Sequence, residues 1–231
     1  MRKLGMIGGM SWISTETYYR RINERVRREI EPMASAPLLI ESLDYRQLWG
    51  LLDEGDWSRA GDILEESAKR LADAGAQGLI LCANSMHRLY DRLTNAVSIP
   101  VLHIADAVGA KMKADGATKN AALIGTRNVM TESFYRQRLV AQGIDLLPPD
   151  MSFAEQSDRI IYEQLMQGRA PRDAERYYRT VITQLEQAGA KAIVLACTEL
   201  AIVVDVDANV LPIYDSARIH CNAAVDWMMD G

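Results

Sequence analysis

Residues 190–200 read AKAIVLACTEL, and this stretch decides the fold. Ala192 to Cys197 form an uninterrupted apolar run, which predicts a buried β-strand. The Thr-Glu pair after it predicts the start of a helix. A cysteine at the carboxyl end of a strand lies where open α/β sheets bind ligands, and a helix N-terminus favours thiolate over thiol. Cys197 is therefore a candidate functional residue, and the alternative is an ordinary buried core cysteine.

The same pattern occurs earlier in the chain. AGAQGLILCANS at residues 74–85 aligns with AGAKAIVLACTE at residues 188–199, so that Cys197 falls on Ala83 and not on Cys82. Two further pairs follow in order and at nearly equal spacing, namely LGMIGGM at 4–10 with AALIGTR at 121–127, and IPVLH at 99–103 with LPIYD at 211–215. Matching landmarks of this kind indicate two similar α/β halves. We place the first half at residues 1–102 plus 216–231 and the second at residues 103–215.

Strands alternate with helices along both halves. This order predicts an α/β fold of two pseudo-symmetric, doubly wound halves, each with a parallel sheet covered by helices on both faces. If both sheets turn their strand ends toward one cleft, a small ligand can be held there, with Ala83 and Cys197 on opposite walls. In the second half, the pattern also predicts one helix from Met130 to Ala141 and a short strand near Leu146.

Composition narrows the class of protein. The net charge of −5 and the pI near 5.3 argue against a nucleic-acid partner. No apolar run reaches the roughly 20 residues that a membrane span needs. The N-terminus has no signal-peptide pattern, and three cysteines in 231 residues suggest free thiols in a reducing compartment. We therefore expect a cytoplasmic protein with a small-molecule substrate.

Polar residues follow the strands that end at the predicted cleft. Backbone N–H groups and hydroxyls at such positions bind carboxylates, although plain helix capping is the alternative for each of them. The substrate-binding candidates are Gly9, Met10, Ser11, Ala83, Asn84, Ser85, Thr126 and Thr198. Arg46, Arg127 and Arg169 lie in or near predicted loops, and one of them could pair with a carboxylate of the ligand, although a solvated surface arginine is the favoured interpretation for each. Neither GxGxxG nor a Walker sequence is present, so we predict no nucleotide.

Four motifs carry a resemblance to a known family: GGMSWIST at 8–15, NSMH at 84–87, GT at 125–126 and CTE at 197–199. Over essentially its whole length, the chain resembles the aspartate/glutamate racemases, which work without PLP. The resemblance implies two α/β halves, a homodimer, a small amino-acid or dicarboxylate substrate, and no cofactor or metal. It also implies one cysteine on each wall of the cleft, because the α-carbon must exchange its proton from both sides.

The chain departs from this family pattern at Ala83, where the first cysteine belongs. A branch of the family has threonine there, but alanine carries no exchangeable proton. The resemblance gives Cys197 the role of acid/base, and Glu199 is a candidate to orient it or a water. His87, one turn beyond Asn84, is a candidate proton carrier on the Ala83 side. For Glu199 and His87, a purely structural place on a helix is the alternative reading.

Three functions remain open from the sequence. The first is an isomerase, an amino-acid racemase acting on aspartate or glutamate with Cys197 on one face of the substrate. The second is a one-cysteine decarboxylase or isomerase of the same superfamily, since decarboxylation of a malonate-like acid needs a single proton delivery. The third is a non-catalytic protein that binds small acids. Ala83 favours the second and third, and the NSMH segment favours the first.

Overall fold

The structure is a computed structural model that describes residues 1–230, and the chain forms two compact units. The first unit contains Met1–His103 and the chain from His220 onward, and the second contains Ile104–Ile219. The first unit holds strands β1 (Leu4–Gly8), β2 (Leu38–Ser42), β3 (Gly78–Leu81) and β4 (Val101–Leu102) and helices α1 (Trp12–Glu29), α2 (Tyr45–Asp53), α3 (Trp57–Asp73) and α4 (Tyr90–Ala96). The second holds strands β5 (Ala121–Gly125), β6 (Ala192–Ala196) and β7 (Ile213–Asp215) and helices α5 (Ile104–Ala114), α6 (Arg127–Thr131), α7 (Ser133–Ala141), α8 (Ala154–Glu163) and α9 (Arg172–Gln187). Helix α10 (Ser216–Met229) begins in the second unit and continues into the first.

The sheet of the first unit is parallel, with the strand order β2-β1-β3-β4. Every residue of β1 and β3 is buried, and because successive side chains point to opposite faces, both faces of the sheet are covered. Helix α3 is one of the helices of this unit. Asp56 caps it by accepting the N–H of Arg59 at 3.0 Å. Its residues Ala60, Leu64 and Ala68 recur every four positions and are fully buried in the core of this unit.

The sheet of the second unit is also parallel, with the order β5-β6-β7. It has its own core, to which Ile124, Val194 and Tyr178 contribute side chains with no exposed surface. The predicted α/β class with parallel sheets is therefore confirmed in each unit. The predicted strand near Leu146 is reduced to a single parallel bridge with Ala121, beside the first strand of the sheet.

The strand pairing follows the sequence repeat. Ile7 of β1 pairs with Leu81 of β3, and Ile124 of β5 pairs with Leu195 of β6. Ala83 and Cys197 both lie two residues beyond these pairs. The two sheets therefore have the same register, and position 83 of the first unit is equivalent to position 197 of the second.

Two helix predictions were wrong. The segment predicted as one helix from Met130 to Ala141 contains two, α6 and α7, because Glu132 between them is extended, with φ −79° and ψ 156°. No α-helix begins at Thr198; the strand is followed by a bend and then by a 3₁₀ turn of three residues, Leu200–Ile202. The second correction bears directly on the chemistry of Cys197.

Candidate active site

In the second unit, Thr126 and Cys197 follow neighbouring strands at the same edge of the sheet. The last pair of the β5–β6 ladder joins Gly125 to Ala196, so the next residues of both strands emerge side by side. A Cβ atom on Gly125 would lie 2.7 Å from the carbonyl oxygen of Ala196, so only glycine allows this close approach. The sequence thus brings two of its predicted site residues together.

Cys197 has a carboxylate as its direct partner. Its Sγ donates to Oε2 of Glu199 at 3.2 Å, and the Thr198 hydroxyl donates to the same oxygen at 2.6 Å. All three side chains are buried, with Glu199 only 4% exposed. A buried carboxylate that accepts a thiol proton can orient the thiol and can also receive its proton.

The environment of Cys197 favours the thiol. Burial raises the pKa of Cys197 well above its ordinary value, and the carboxylates of Glu199 and Asp158 raise it further. A hydrogen bond from the backbone of Glu199 opposes this effect. The prediction that a helix N-terminus lowers this pKa was wrong, because a bend and three residues of 3₁₀ helix stand where the helix was expected. The free protein therefore holds Cys197 protonated.

Thr126 offers a hydroxyl that the fold does not use. It occupies the N-cap position of α6, but its side chain makes no capping hydrogen bond. Its Oγ1 is buried and has no hydrogen-bond partner, and the residue is 8% exposed. Because a buried hydroxyl without a partner costs free energy, this atom is a natural contact for a ligand.

In the first unit, the turn after β1 is closed by its own helix. The Thr15 hydroxyl accepts the N–H of Gly9 at 2.7 Å and donates to the carbonyl of Ser11 at 3.0 Å. Gly9 has a φ of +85°, which glycine adopts without strain, and Met10 is 4% exposed. Ser11 caps α1 by accepting the N–H of Ser14. The predicted ligand residues of this turn therefore also serve to hold the turn.

Ala83, Asn84 and Ser85 follow β3 in the same unit. Asn84 is 4% exposed, and neither its Oδ1 nor its Nδ2 has a hydrogen-bond partner. Ser85 begins a 3₁₀ segment, Ser85–Leu89, rather than an α-helix. An amide with both polar atoms buried and unpartnered is the first-unit counterpart of the Thr126 hydroxyl, and it likewise suits a polar ligand.

All three histidines of the chain are buried together in the first unit. His87 donates from Nδ1 to the carbonyl of Ala83 at 2.8 Å. Its ring centroid lies 4.5 Å from that of His103 and 5.7 Å from that of His220. His220 donates from Nε2 to the carbonyl of Leu102 at 3.1 Å, so its Nδ1 accepts the Tyr18 hydroxyl at 3.0 Å. The sequence singled out His87 but not this cluster.

The cluster predicts a loss of stability in acid. Burial lowers the pKa of His220 from 6.5 to about 3, and the nearby His87 lowers it too. Below pH 6.5, His220 binds a proton in the unfolded chain but stays neutral in the folded chain. The contribution of His220 to the free energy of unfolding is therefore complete above pH 6.5 and is lost progressively as the pH falls toward 3. Urea unfolding from pH 7.5 to 4.5 should show this slope, and His220→Gln should remove about 1.4 kcal/mol per pH unit of it. Equal slopes for both proteins would contradict the assignment.

The arginine candidates are distributed over three places. Arg127, next to Thr126, pairs its Nε with Oδ2 of Asp158 at 3.5 Å. Arg169 donates to the carbonyl of Glu163, and Arg46 lies 3.6 Å from Asp44 with an exposed side chain. Sequence reasoning missed Asp158 and its neighbours on α8, because no motif marks a helix residue whose side chain bonds a turn 31 positions earlier in the chain.

Residues 1–230 contain neither a membrane-spanning helix nor a cluster of metal-binding side chains. None of the helices is both long enough and apolar enough to cross a bilayer. Within the same part of the chain, His, Cys, Asp and Glu form no group of three or more that is arranged to bind a metal ion.

The family model described as Asp/Glu/Hydantoin racemase matches residues 7–224. The broad specificity amino-acid racemase RacX of Bacillus subtilis (strain 168) is 24% identical over 160 residues, which cover 69% of this chain and 68% of that protein. A crystal structure from Yersinia pestis, provisionally assigned as an Asp/Glu racemase, is 39% identical with a TM-score of 0.90, over 99% of this chain and 100% of that one. An aspartate racemase homologue from Pyrococcus horikoshii OT3 is 30% identical with a TM-score of 0.85, over 99% of both chains.

The family match covers all four motifs completely, and the isomerase class that they implied is confirmed at the level of the family. The chain therefore belongs to the Asp/Glu/Hydantoin racemase family.

Proposed function

We propose that the protein is a PLP-independent amino-acid racemase that acts on aspartate or glutamate, with Cys197 as the acid/base that exchanges the α-proton. One observation supports this most directly: the buried Cys197 thiol donates to the buried Glu199 carboxylate at 3.2 Å. A thiol with a carboxylate partner, inside a racemase family, suits reversible proton transfer at carbon.

The proposed steps start from the protonated thiol. When the substrate ammonium adds positive charge near Cys197, the pKa of the thiol falls and its proton moves to Glu199. The thiolate then takes the α-proton, which leaves the electron pair on the α-carbon and restores the thiol. In the reverse direction, the thiol gives this proton to the α-carbon, and the thiolate recovers a proton from Glu199.

Inversion needs a second proton carrier, and Ala83 has no proton to give. We infer that this carrier is water or His87. His87 is one turn beyond Asn84 and donates from Nδ1 to the Ala83 carbonyl, so its neutral ring has the lone pair on Nε2. Carriers of this kind are less well placed than a second thiol, so we expect slow turnover.

Substrate binding is assigned to the polar groups that the fold leaves without partners. The Thr126 hydroxyl can donate to a carboxylate, and the Asn84 amide can donate to a carboxylate and accept from an ammonium. The Thr198 hydroxyl is bonded to Glu199, so we assign it to holding that carboxylate. Ser11 and Ser85 are the further candidates, together with the backbone of Met10.

Proton NMR in D₂O tests the proposal. The protein is incubated, without PLP, with L- and D-aspartate and with L- and D-glutamate. Loss of the α-proton signal together with the appearance of the opposite enantiomer supports a racemase. Exchange without inversion means that Cys197 works alone. If none of the four amino acids exchanges its α-proton, the proposal is wrong for these substrates.

Ala83 favours a second candidate, a one-cysteine decarboxylase. A 2-substituted malonate that loses CO₂ leaves an electron pair on its α-carbon, and the protonated Cys197 can supply the single proton required. Solvent then returns a proton to the sulfur. Release of CO₂ from such an acid, with no exchange of amino-acid α-protons, would support this function. No reaction with either class would support a protein that only binds small acids.

A further inference from the structure

Helix α8 holds the turn around Thr126 from both sides. The Ser157 hydroxyl donates to the carbonyl of Gly125 at 3.3 Å. The next residue, Asp158, accepts the backbone N–H of Arg127 on its Oδ1 at 2.9 Å. Two adjacent side chains of one helix therefore fix the peptide groups before and after Thr126.

The turn is held without the hydroxyl of Thr126. A threonine at an N-cap normally accepts an N–H of its own helix. Here Asp158 accepts the N–H at the first position of α6, and both hydrogen bonds that fix the turn join a side chain of α8 to the backbone of Gly125 or Arg127. The position of Thr126 is therefore set without its side chain, whose Oγ1 stays buried and unpartnered.

A third side chain, Tyr178, contacts Ser157 and restricts its movement. The Tyr178 hydroxyl of α9 lies 3.1 Å from the Ser157 hydroxyl and 3.5 Å from the Ser157 carbonyl. Ser157 and Tyr178 have no exposed surface. A fully buried hydroxyl pair of this kind holds Ser157 in one rotamer, so the contact with Gly125 does not depend on solvent.

We propose that Ser157 and Asp158 are positioning residues, which hold the Thr126 hydroxyl for the substrate, and that the Asp158 carboxylate adds to the negative charge around Cys197. This inference rests on the proposed function, in which Thr126 binds substrate and Cys197 exchanges a proton. The charge effect has geometric support, because Asp158 is bonded to the turn after β5, which lies beside the end of β6 before Cys197. Its carboxylate pairs with the Arg127 guanidinium at 3.5 Å and, after burial and Glu199, raises the pKa of Cys197. Asp158 thus links substrate binding and thiol ionisation through one side chain.

Three variants separate the two effects. Asp158→Asn keeps an oxygen that can accept the Arg127 N–H but removes the negative charge, and Asp158→Ala removes both. Glu155→Gln is the matched control, since Glu155 lies on the same helix, is exposed, and pairs only with Arg159 at 3.7 Å. With the racemised amino acid, we expect Asp158→Ala to raise KM about fivefold, the factor for one lost capping hydrogen bond. Asp158→Asn should restore the wild-type KM, and Glu155→Gln should not change it.

Alkylation of Cys197 by iodoacetamide gives a readout that needs no substrate. The modified peptide is quantified by mass spectrometry as a function of pH. Both Asp158 variants should shift the midpoint of Cys197 alkylation to lower pH, and Glu155→Gln should leave it in place. A role in folding alone would lower the thermal stability of Asp158→Ala but would move neither this midpoint nor KM.

The outcomes distinguish the two proposals. If no amino acid is racemised but the alkylation midpoint moves, the proposed function fails and the influence of Asp158 on Cys197 stands. An unchanged midpoint overturns the charge role, whether or not the protein turns over. If Asp158→Ala and Asp158→Asn have the same KM as the wild type, Asp158 does not position Thr126.

Discussion

Cys197→Ser is expected to abolish exchange of the α-proton, with a loss of at least about 10³-fold. Serine can still donate a hydrogen bond to Glu199, so the local hydrogen bonding is kept. Its hydroxyl, however, ionises far less readily than a thiol, and the buried site already disfavours a negative charge at this position. The variant therefore changes the acidity of one atom and little else. Proton NMR in D₂O measures the loss directly.

The control for this experiment is another buried cysteine. Cys221→Ser makes the same chemical change on α10, where the residue is 2% exposed and has no proposed role. It should keep exchange within about threefold of the wild type, since changes away from a site leave its chemistry intact. Retention of exchange in Cys197→Ser would falsify the assignment of Cys197 as the acid/base.

Ala83→Cys is expected to raise racemisation by about 10²-fold or more, the usual contribution of a well-placed acid or base. The expectation rests on the shared register of the two sheets, which makes position 83 equivalent to position 197. The residue lies beside Asn84, which has unpartnered polar atoms, so a new thiol there joins the proposed substrate-binding set. Rates of appearance of the opposite enantiomer give the result.

Ala83→Ser serves as the comparison, because it places a hydroxyl where Ala83→Cys places a thiol, and the hydroxyl is a much weaker acid. We expect its gain to be smaller than that of Ala83→Cys. Adding Cys82→Ala to Ala83→Cys leaves position 83 as the only thiol among residues 82–85, which directly follow β3, and should keep the gain. If the new thiol has no effect, the decarboxylase or the binding protein is favoured over the racemase.

The sequence was sufficient for the parts of the structure that repeat or that depend on local pattern. The alignment of residues 74–85 with residues 188–199 predicted the equivalence of Ala83 and Cys197, and the strand pairing has the same register. Burial of the strand before Cys197 followed from its apolar run. These features depend on a local apolar pattern or on the repetition of such a pattern, and both can be recognised in the sequence.

The sequence was not sufficient where contacts join distant residues or where a helix ends early. Nothing near Asp158 indicates that it accepts the N–H of Arg127. The three histidines meet because a 3₁₀ segment, the end of β4 and α10 bring them to one place, and no spacing in the sequence encodes that. The Thr-Glu pair has the pattern of a helix start, but the chain leaves the helical conformation after Ile202, and the environment of Cys197 changes accordingly.

Burial of a histidine affects how the net charge of the protein changes with pH. Exposed carboxylates ionise below pH 5 and exposed lysines and arginines stay charged above pH 8, so histidine is the side chain that ordinarily varies the surface charge between these limits. His220 is buried and its pKa is lowered to about 3, so this imidazole stays neutral across that interval and does not offset the formal net charge of −5. An anionic metabolite that diffuses toward the protein is repelled by this net negative charge, and His220 adds no positive charge at pH 5.5 that would weaken the repulsion. The ionic strength of the medium screens this repulsion and therefore changes the rate of encounter.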